Sequence, residues 1–347
     1  MQSERTEHIL SKKFIKETTI MKAIKSIKLF TITITLVFIS VFLFSQNALA
    51  KVKIVTSVPD FAAIARDIGG DKVEVISLAK GYQNPHFVDA KPIFVTELNK
   101  ADMLVYNGLE LEIGWLTVLI TGARNSEILA GNAVGHYDAS TSIKKRLEVP
   151  RGPIDRSMGD IHPSGNPHYM LDPRNGLLVA RGIAARLIKI DPENADFYEE
   201  NFDNFKNTLK LKISEWNTEL EPYRGTEVVT YHKLWAYFLD WSGFKEAGTI
   251  EPKPNIPPTP SHVADLIKSM EYQNVKLIIS ANYYPRKTPE IIAQKTGATF
   301  LSLPAMVEGE EGINSYFELF DAIVGEITSA LKSKTGSISK KGVLGEG

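Results

Sequence analysis

From Lys51 onward, short apolar runs alternate with segments whose apolar residues recur at helical spacing. Residues 53–58 are apolar and β-branched and predict a strand; 61–68 predict the helix that follows, closed by Gly69-Gly70. The same reading gives strands over 73–78, 103–106 and 127–129, and helices over 92–99 and 112–121. Strands alternating with helices argue for parallel sheet built from βα units. The pattern breaks over 135–167, which holds Pro150, Gly152, Pro153, Gly159, Pro163 and Gly165 with little periodicity. A long irregular segment inside a compact domain is functional or disordered.

After His168 the helical spacing returns. Asp172-Pro173 has the form of an N-cap with proline in the first turn, leading into 177–190. Asp191-Pro192 repeats it and opens the longest helical run, to about Glu221, with Phe197, Phe202, Phe205, Leu209, Ile213 and Trp216 on one stripe. Some thirty residues make a rod of about 45 Å, long enough to run along two lobes. The second half resumes the alternation, with strands over 228–231, 275–280 and 299–301 and helices over 234–241, 263–270, 289–295 and 316–331. Residues 251–260 are a proline-rich loop. The polar tail from Lys332 is predicted to be disordered. The fold class is α/β, with a βα plan in both halves.

The first fifty residues follow a different pattern. Lys22, Lys25 and Lys28 precede the apolar stretch 29–44, and Ala48-Leu49-Ala50 ends it. A basic region, an apolar region and an Ala-x-Ala end describe a secretory signal cleaved after Ala50. The apolar run is short of the roughly 20 residues of a spanning helix. Glu4, Glu7 and Glu17 are out of place in a basic leader, which makes Met21 a candidate start. The chain has no cysteine, which removes thiolate ligands, disulfides and a lipid-carrying cysteine at the cleavage site. An exported, cysteine-free chain reads as a soluble periplasmic protein. A formal net charge of -1, with no basic stripe, excludes nucleic acid as a partner.

Histidine carries the candidate chemistry. Asn-Pro-His occurs at 84–86 and again at 166–168, and His232 follows the apolar run 226–231. Each of the three histidines stands where a strand is expected to end. Imidazole is the commonest side-chain ligand for transition metals, and proline stiffens the loop that presents it. Alone, each histidine reads equally well as a satisfied polar residue near a helix start; together His86, His168 and His232 point to one metal site. Asp89 and Asp172 follow two of them and are candidates to accept the free imidazole N–H, although Asp172 fits a helix cap better. His162, in Gly159-Asp160-Ile161-His162-Pro163, reads first as a solvated loop residue and second as a mobile ligand. His136 is weaker, His262 sits in a helix first turn, and His8 lies in the leader.

With these features in place, the chain resembles the zinc/manganese substrate-binding proteins of bacterial ABC importers, over nearly all of 51–330. The resemblance is carried by Thr56-Ser57-Val58-Pro59-Asp60-Phe61, by both Asn-Pro-His motifs with Lys91-Pro92 and Tyr169-Met170-Leu171-Asp172-Pro173, by 101–112, and by Tyr231-His232. It implies two α/β lobes, each with a mainly parallel sheet flanked by helices, joined by one long rigid helix. The expected division is a leader (1–50), an N-terminal lobe (51–190), the linking helix (191–222), a C-terminal lobe (223–333) and a tail (334–347). The implied metal ligands are His86 and His168 from the first lobe and His232 from the second, with Zn2+ as the transported ion and Mn2+ or Fe2+ as alternatives.

Manganese-tuned members carry Glu where this chain has His232, and a third imidazole suits zinc better. Many members supply an Asp as fourth ligand where Pro304 stands here, so water, Asn282, Glu308, Glu310 and Glu311 all stay open. The implied partner is an ABC permease in the inner membrane, and the receptor is expected to be a monomer and not an enzyme. A secreted zinc hydrolase is the competing class, but the chain has no His-Glu-x-x-His motif. Histidine ligands must be neutral to bind, so affinity is expected to fall as pH drops through about 6, near the ordinary imidazole pKa.

Overall fold

Two four-stranded parallel sheets with the same strand plan carry the molecule, in a computed structural model that describes residues 2–44, 51–131, 133–153, 155, 158–159 and 161–342. The first segment forms one helix, α1 (Gln2–Phe44), within a separate unit that ends at Ala50. The Ala48-Leu49-Ala50 end of the expected signal lies outside the described residues. No described helix is long and apolar enough to cross a membrane.

From Lys51 the first sheet runs β2-β1-β3-β4, using β1 (Val52–Thr56), β2 (Val73–Ser77), β3 (Met103–Tyr106) and β4 (His136–Asp138). Helices α2 (Pro59–Gly69), α3 (Pro92–Asn99), α4 (Leu116–Ala123) and α5 (Pro173–Ile190) belong to this half. The second sheet runs β6-β5-β7-β8, using β5 (Glu227–Thr230), β6 (Lys245–Thr249), β7 (Leu277–Ala281) and β8 (Thr299–Leu303). Around it come α7 (Ala236–Ser242), α8 (Pro260–Gln273), α9 (Lys287–Thr296) and α10 (Tyr316–Gly342). Between the halves lies α6 (Ala195–Leu220), the predicted long helix, at 26 residues.

The central strands are buried on both faces, as parallel strands covered by helices must be. Ile54, Val55 and Thr56 of β1 are buried, and so is all of β7. In each sheet the strand order reverses between the first and third strands. In open α/β sheets ligands bind at the carboxyl ends beside such a reversal. One apolar core runs from β1 and β3 through α5 and α6 to α7 and α10, and a smaller one packs α8 and α9 on the second sheet. Asp172 caps α5 by accepting the Arg174 N–H at 2.9 Å, with Pro173 in the first turn. Trp216 of α6, fully buried, donates its indole N–H to Asp321 of α10 at 2.8 Å.

Four expectations change. The strand expected at 127–129 is a 3-10 turn over Ser126–Ile128, because Asn125 accepts the Glu127 N–H and caps a helical turn. The fourth strand is instead His136–Asp138, inside the stretch expected to be irregular; two of its three residues are polar and only its pairing with β3 reveals it. The helix expected from Glu112 begins at Leu116, since the Glu112 carboxylate is bonded back to the Asn107 and Gly108 N–H groups and the chain coils through turns. Finally, α10 continues to Gly342, so 332–342 keeps helical backbone where disorder was expected, while 343–347 lie outside the described residues. One strand, β6, carries the weak pattern Lys-Glu-Ala-Gly-Thr and was not predicted at all.

Candidate metal centre

The two Asn-Pro-His motifs share one local turn. In each, the Asn side-chain oxygen accepts the backbone N–H of the histidine two residues on: Asn84 with His86 at 3.1 Å, Asn166 with His168 at 2.8 Å. Asn favours this local turn because its amide mimics a backbone carbonyl, and proline between the two removes the competing N–H. His86 follows β2, and His168 opens the 3-10 turn Tyr169–Leu171. His232 lies two residues beyond β5 and opens another, Lys233–Trp235. The motif therefore specifies a backbone shape that points imidazole into the cleft at the sheet ends.

There the three rings meet. His86 Nε2 and His168 Nε2 are 3.3 Å apart. A tetrahedral zinc with Zn–N of about 2.0–2.1 Å would space its ligands by about 3.3–3.4 Å. The His232 ring centroid stands 6.0 Å from that of His86 and 5.6 Å from that of His168, with the planes steeply inclined at 76° and 86°. One ligand atom from each of the three lies within 4.8 Å of the others, and all three side chains are buried. Three imidazole edges converging in this way enclose a cation-sized point.

Burial also sets the charge state. Loss of solvent, reinforced by the neighbouring His162 and His232, pushes the His86 pKa down to about 3. Burial first, and then the other three imidazoles, hold His168 well below the ordinary value. These rings are thus kept as neutral lone-pair donors across ordinary pH. A free histidine is therefore the wrong reference for the protonation of His86 and His168.

His232 carries a partner that sequence reading missed. Its Nδ1 lies 2.7 Å from Glu251 Oε2, and Glu251 also accepts the Asn255 N–H at 2.9 Å. A carboxylate on Nδ1 fixes the N–H there and leaves Nε2 free for metal. Glu251 reaches the site because β6 pairs beside β5, with the Glu251 N–H donated to the Tyr231 carbonyl at 2.9 Å. An acidic residue just past a strand adjacent to the ligand strand was the available signal, and it is readable only once β6 is recognised.

The other sequence candidates separate cleanly. Asp172 is the α5 cap and bonds Arg174, and Asp89 is exposed. His136 is held by Tyr106 and the Ile128 carbonyl, and His262 by the Thr249 carbonyl. His162 is half-buried, with its ring 5.2 Å from that of His86. That overturns the solvated reading favoured for this loop position. His162, His168 and His232 line one cavity of about 370 Å³. Among the open fourth-ligand candidates, Glu308 pairs with Arg66 at 3.5 Å, and Glu310 and Glu311 are exposed. Asn282 donates to the Gly309 carbonyl at 2.8 Å. None of these carboxylates joins the grouped ligand atoms, which among the described residues are the three imidazoles.

Comparison with known proteins agrees with this geometry. A family model described as zinc-uptake complex component A, periplasmic, matches residues 54–330. The manganese ABC transporter substrate-binding lipoprotein PsaA of Streptococcus pneumoniae is 25% identical over 296 residues, covering 83% of this chain and 91% of that protein. The metal ABC transporter substrate-binding lipoprotein FimA of Streptococcus parasanguinis is 26% identical over the same shares. Among solved structures, a zinc-bound ZnuA deletion mutant matches with TM-score 0.68 and 26% identity, covering 81% of this chain and 98% of that one. A manganese-bound periplasmic metal-binding protein from Candidatus Liberibacter asiaticus shares the fold at TM-score 0.64 and 22% identity, covering 81% of this chain and all of that one (100%).

Proposed function

The chain belongs to the family of periplasmic zinc-uptake component A proteins, and from that premise we propose that its cargo is Zn2+, held between His86, His168 and His232. Members of this family are substrate-binding proteins of metal ABC importers, not enzymes. The chain accordingly captures a transition metal and delivers it to a membrane permease. The buried all-imidazole cluster is the single observation that carries zinc over manganese. Relatives named for manganese show that the fold also serves that ion. Here the grouped ligand atoms contain no carboxylate, and the nearest one, Glu251, is occupied on the far nitrogen of His232. Imidazole suits zinc, whereas manganese prefers oxygen donors.

His162, with its ring 5.2 Å from that of His86, supports a fourth imidazole contact from the loop side. The lysine-rich start, apolar run and Ala48-Leu49-Ala50 end support export to the periplasm through a cleaved signal, with an inner-membrane permease as partner. The chain departs from relatives named as lipoproteins, since it has no cysteine to carry the lipid. The receptor acts as a monomer in this reading.

Native mass spectrometry of the metal-stripped chain, offered equal Zn2+, Mn2+ and Fe2+, tests the proposal. One zinc per chain is expected, lost when His86, His168 or His232 becomes Ala. Preferential retention of manganese or iron would overturn the zinc assignment, and retention of none would overturn the site.

A further inference from the structure

His86 and His168 are 82 residues apart in sequence, yet their Nε2 atoms are 3.3 Å apart. Beyond the Asn turns, each arm is fixed at the carbonyl of the proline just before the ligand. Trp115 donates its indole N–H to the Pro85 carbonyl at 2.9 Å. Asn107 donates its side-chain amide to the Pro167 carbonyl, also at 2.9 Å. Both donors are buried, and both come from one short stretch between β3 and α4.

That stretch is held in a costly shape. Gly108, Leu109 and Glu110 are left-handed in succession, with φ of 74°, 51° and 65°. Leu and Glu rarely adopt such values, and each costs of order 1–3 kcal/mol unless its surroundings compel it. Buried Glu112 supplies the compulsion, accepting the Asn107 N–H at 2.7 Å and the Gly108 N–H at 3.2 Å. Tyr169, next to His168, donates its hydroxyl to the Asn107 carbonyl at 2.6 Å. Ordinary satisfaction of buried polar groups would not require that one strained turn reach both carbonyls adjoining the two ligands.

We propose that Asn107–Trp115 is a clamp that sets the His86–His168 separation, and so the coordination geometry and metal preference of the site, with Glu112, Asn107 and Trp115 as positioning residues. This rests on the metal-receptor reading. A clamped short separation fits a small tetrahedral ion; a relaxed pair admits larger ions with more ligands and narrows the preference for zinc over manganese.

Visible absorption of the Co2+-loaded chain reports the geometry directly, since tetrahedral Co2+ absorbs far more strongly than six-coordinate Co2+. Trp115→Phe deletes one indole N–H and keeps an aromatic ring; Trp216→Phe makes the same deletion at the remote Asp321 contact. The clamp predicts that Trp115→Phe weakens the Co2+ bands and lowers Zn2+ affinity about tenfold, in the range seen when groups that orient ligands are removed. Trp216→Phe should lower the melting temperature of the metal-free protein while leaving spectrum and affinity at wild type. Should Trp115→Phe fail to fold, the near-isosteric Glu112→Gln carries the same expectation. Wild-type spectrum and affinity in the folded variant would overturn the clamp alone. A wild-type chain that binds neither Co2+ nor Zn2+ would overturn the receptor reading and the clamp with it.

Discussion

Glu251 shows how much of the proposed metal site lies behind its candidate ligands. With its carboxylate 2.7 Å from His232 Nδ1, the ring presents Nε2 to the cleft and cannot exchange tautomers freely. Glu251→Ala should therefore lower zinc affinity by about 10- to 100-fold, measured by competition with a chromophoric chelator. Glu251→Gln keeps an acceptor for the same N–H and should lose less. Equal losses would mean that the carboxylate acts through charge, and no loss in either would remove Glu251 from the site. His86 and His168 were legible as ligand candidates because Asn-Pro-His is a local device: its Asn-to-histidine hydrogen bond is made within three residues; His232 lacks that motif and was read from the apolar run before it. Glu251 was not legible, because its contact depends on two strands pairing across nineteen residues of chain. His162 failed for a similar reason: nothing in Ile161-His162-Pro163 says that the loop turns inward over His86.

At the scale of elements, periodicity located the apolar strands and the long helices and missed two edge strands of mixed polarity. Helix α6 was found because Phe205, Leu209 and Trp216 recur at helical spacing, and all three are buried. Strands β4 and β6 are edge strands of three and five residues with mixed polarity, made visible only by their parallel partners β3 and β5. The late start of α4 has a sharper cause, since a local bond from Glu112 back to Asn107 overrides an adequate helical pattern. Helix α6 supplies no imidazole to the cluster, which separates its role from binding. Leu209 is fully buried in the common core, so Leu209→Ala should cost about 2–5 kcal/mol. The metal-free melting temperature should fall by several degrees, while the zinc affinity of the folded protein stays within about a factor of three, since neither ligands nor clamp are touched. A parallel loss of affinity would mean that α6 transmits strain to the cleft.

The two halves meet along a seam that stands or falls with the whole molecule. Asp60 of α2 accepts the Val307 N–H, from the loop after β8, at 3.1 Å. Gly81 lies so close to that loop that an added Cβ would come within 2.1 Å of the Val307 carbonyl. Arg66 and Glu308 pair across the same line at 3.5 Å. Asp60 is fully buried there, and loss of solvent raises its pKa to about 7 from the ordinary 3.8, despite the Val307 N–H and with Glu308 adding to the rise. A carboxyl with a raised folded-state pKa contributes fully below the unfolded value and loses its contribution as pH climbs to the folded one. The seam should therefore weaken from about pH 4 to about pH 7 and change little above.

Asp60→Asn keeps an oxygen for Val307 and removes the ionisation. It should match wild type in melting temperature near pH 4, gain on it through the intervening range, and hold a constant lead above pH 7. At about 1.4 kcal/mol per pKa unit the lead is at most about 4 kcal/mol, less where water reaches the seam. Thermal scans of both metal-free proteins at pH 4, 6 and 8 decide it. A pH-independent gap would mean that Asp60 is ionised throughout and paired in some other way, and a variant less stable at every pH would mean that the carboxylate itself holds the two halves together.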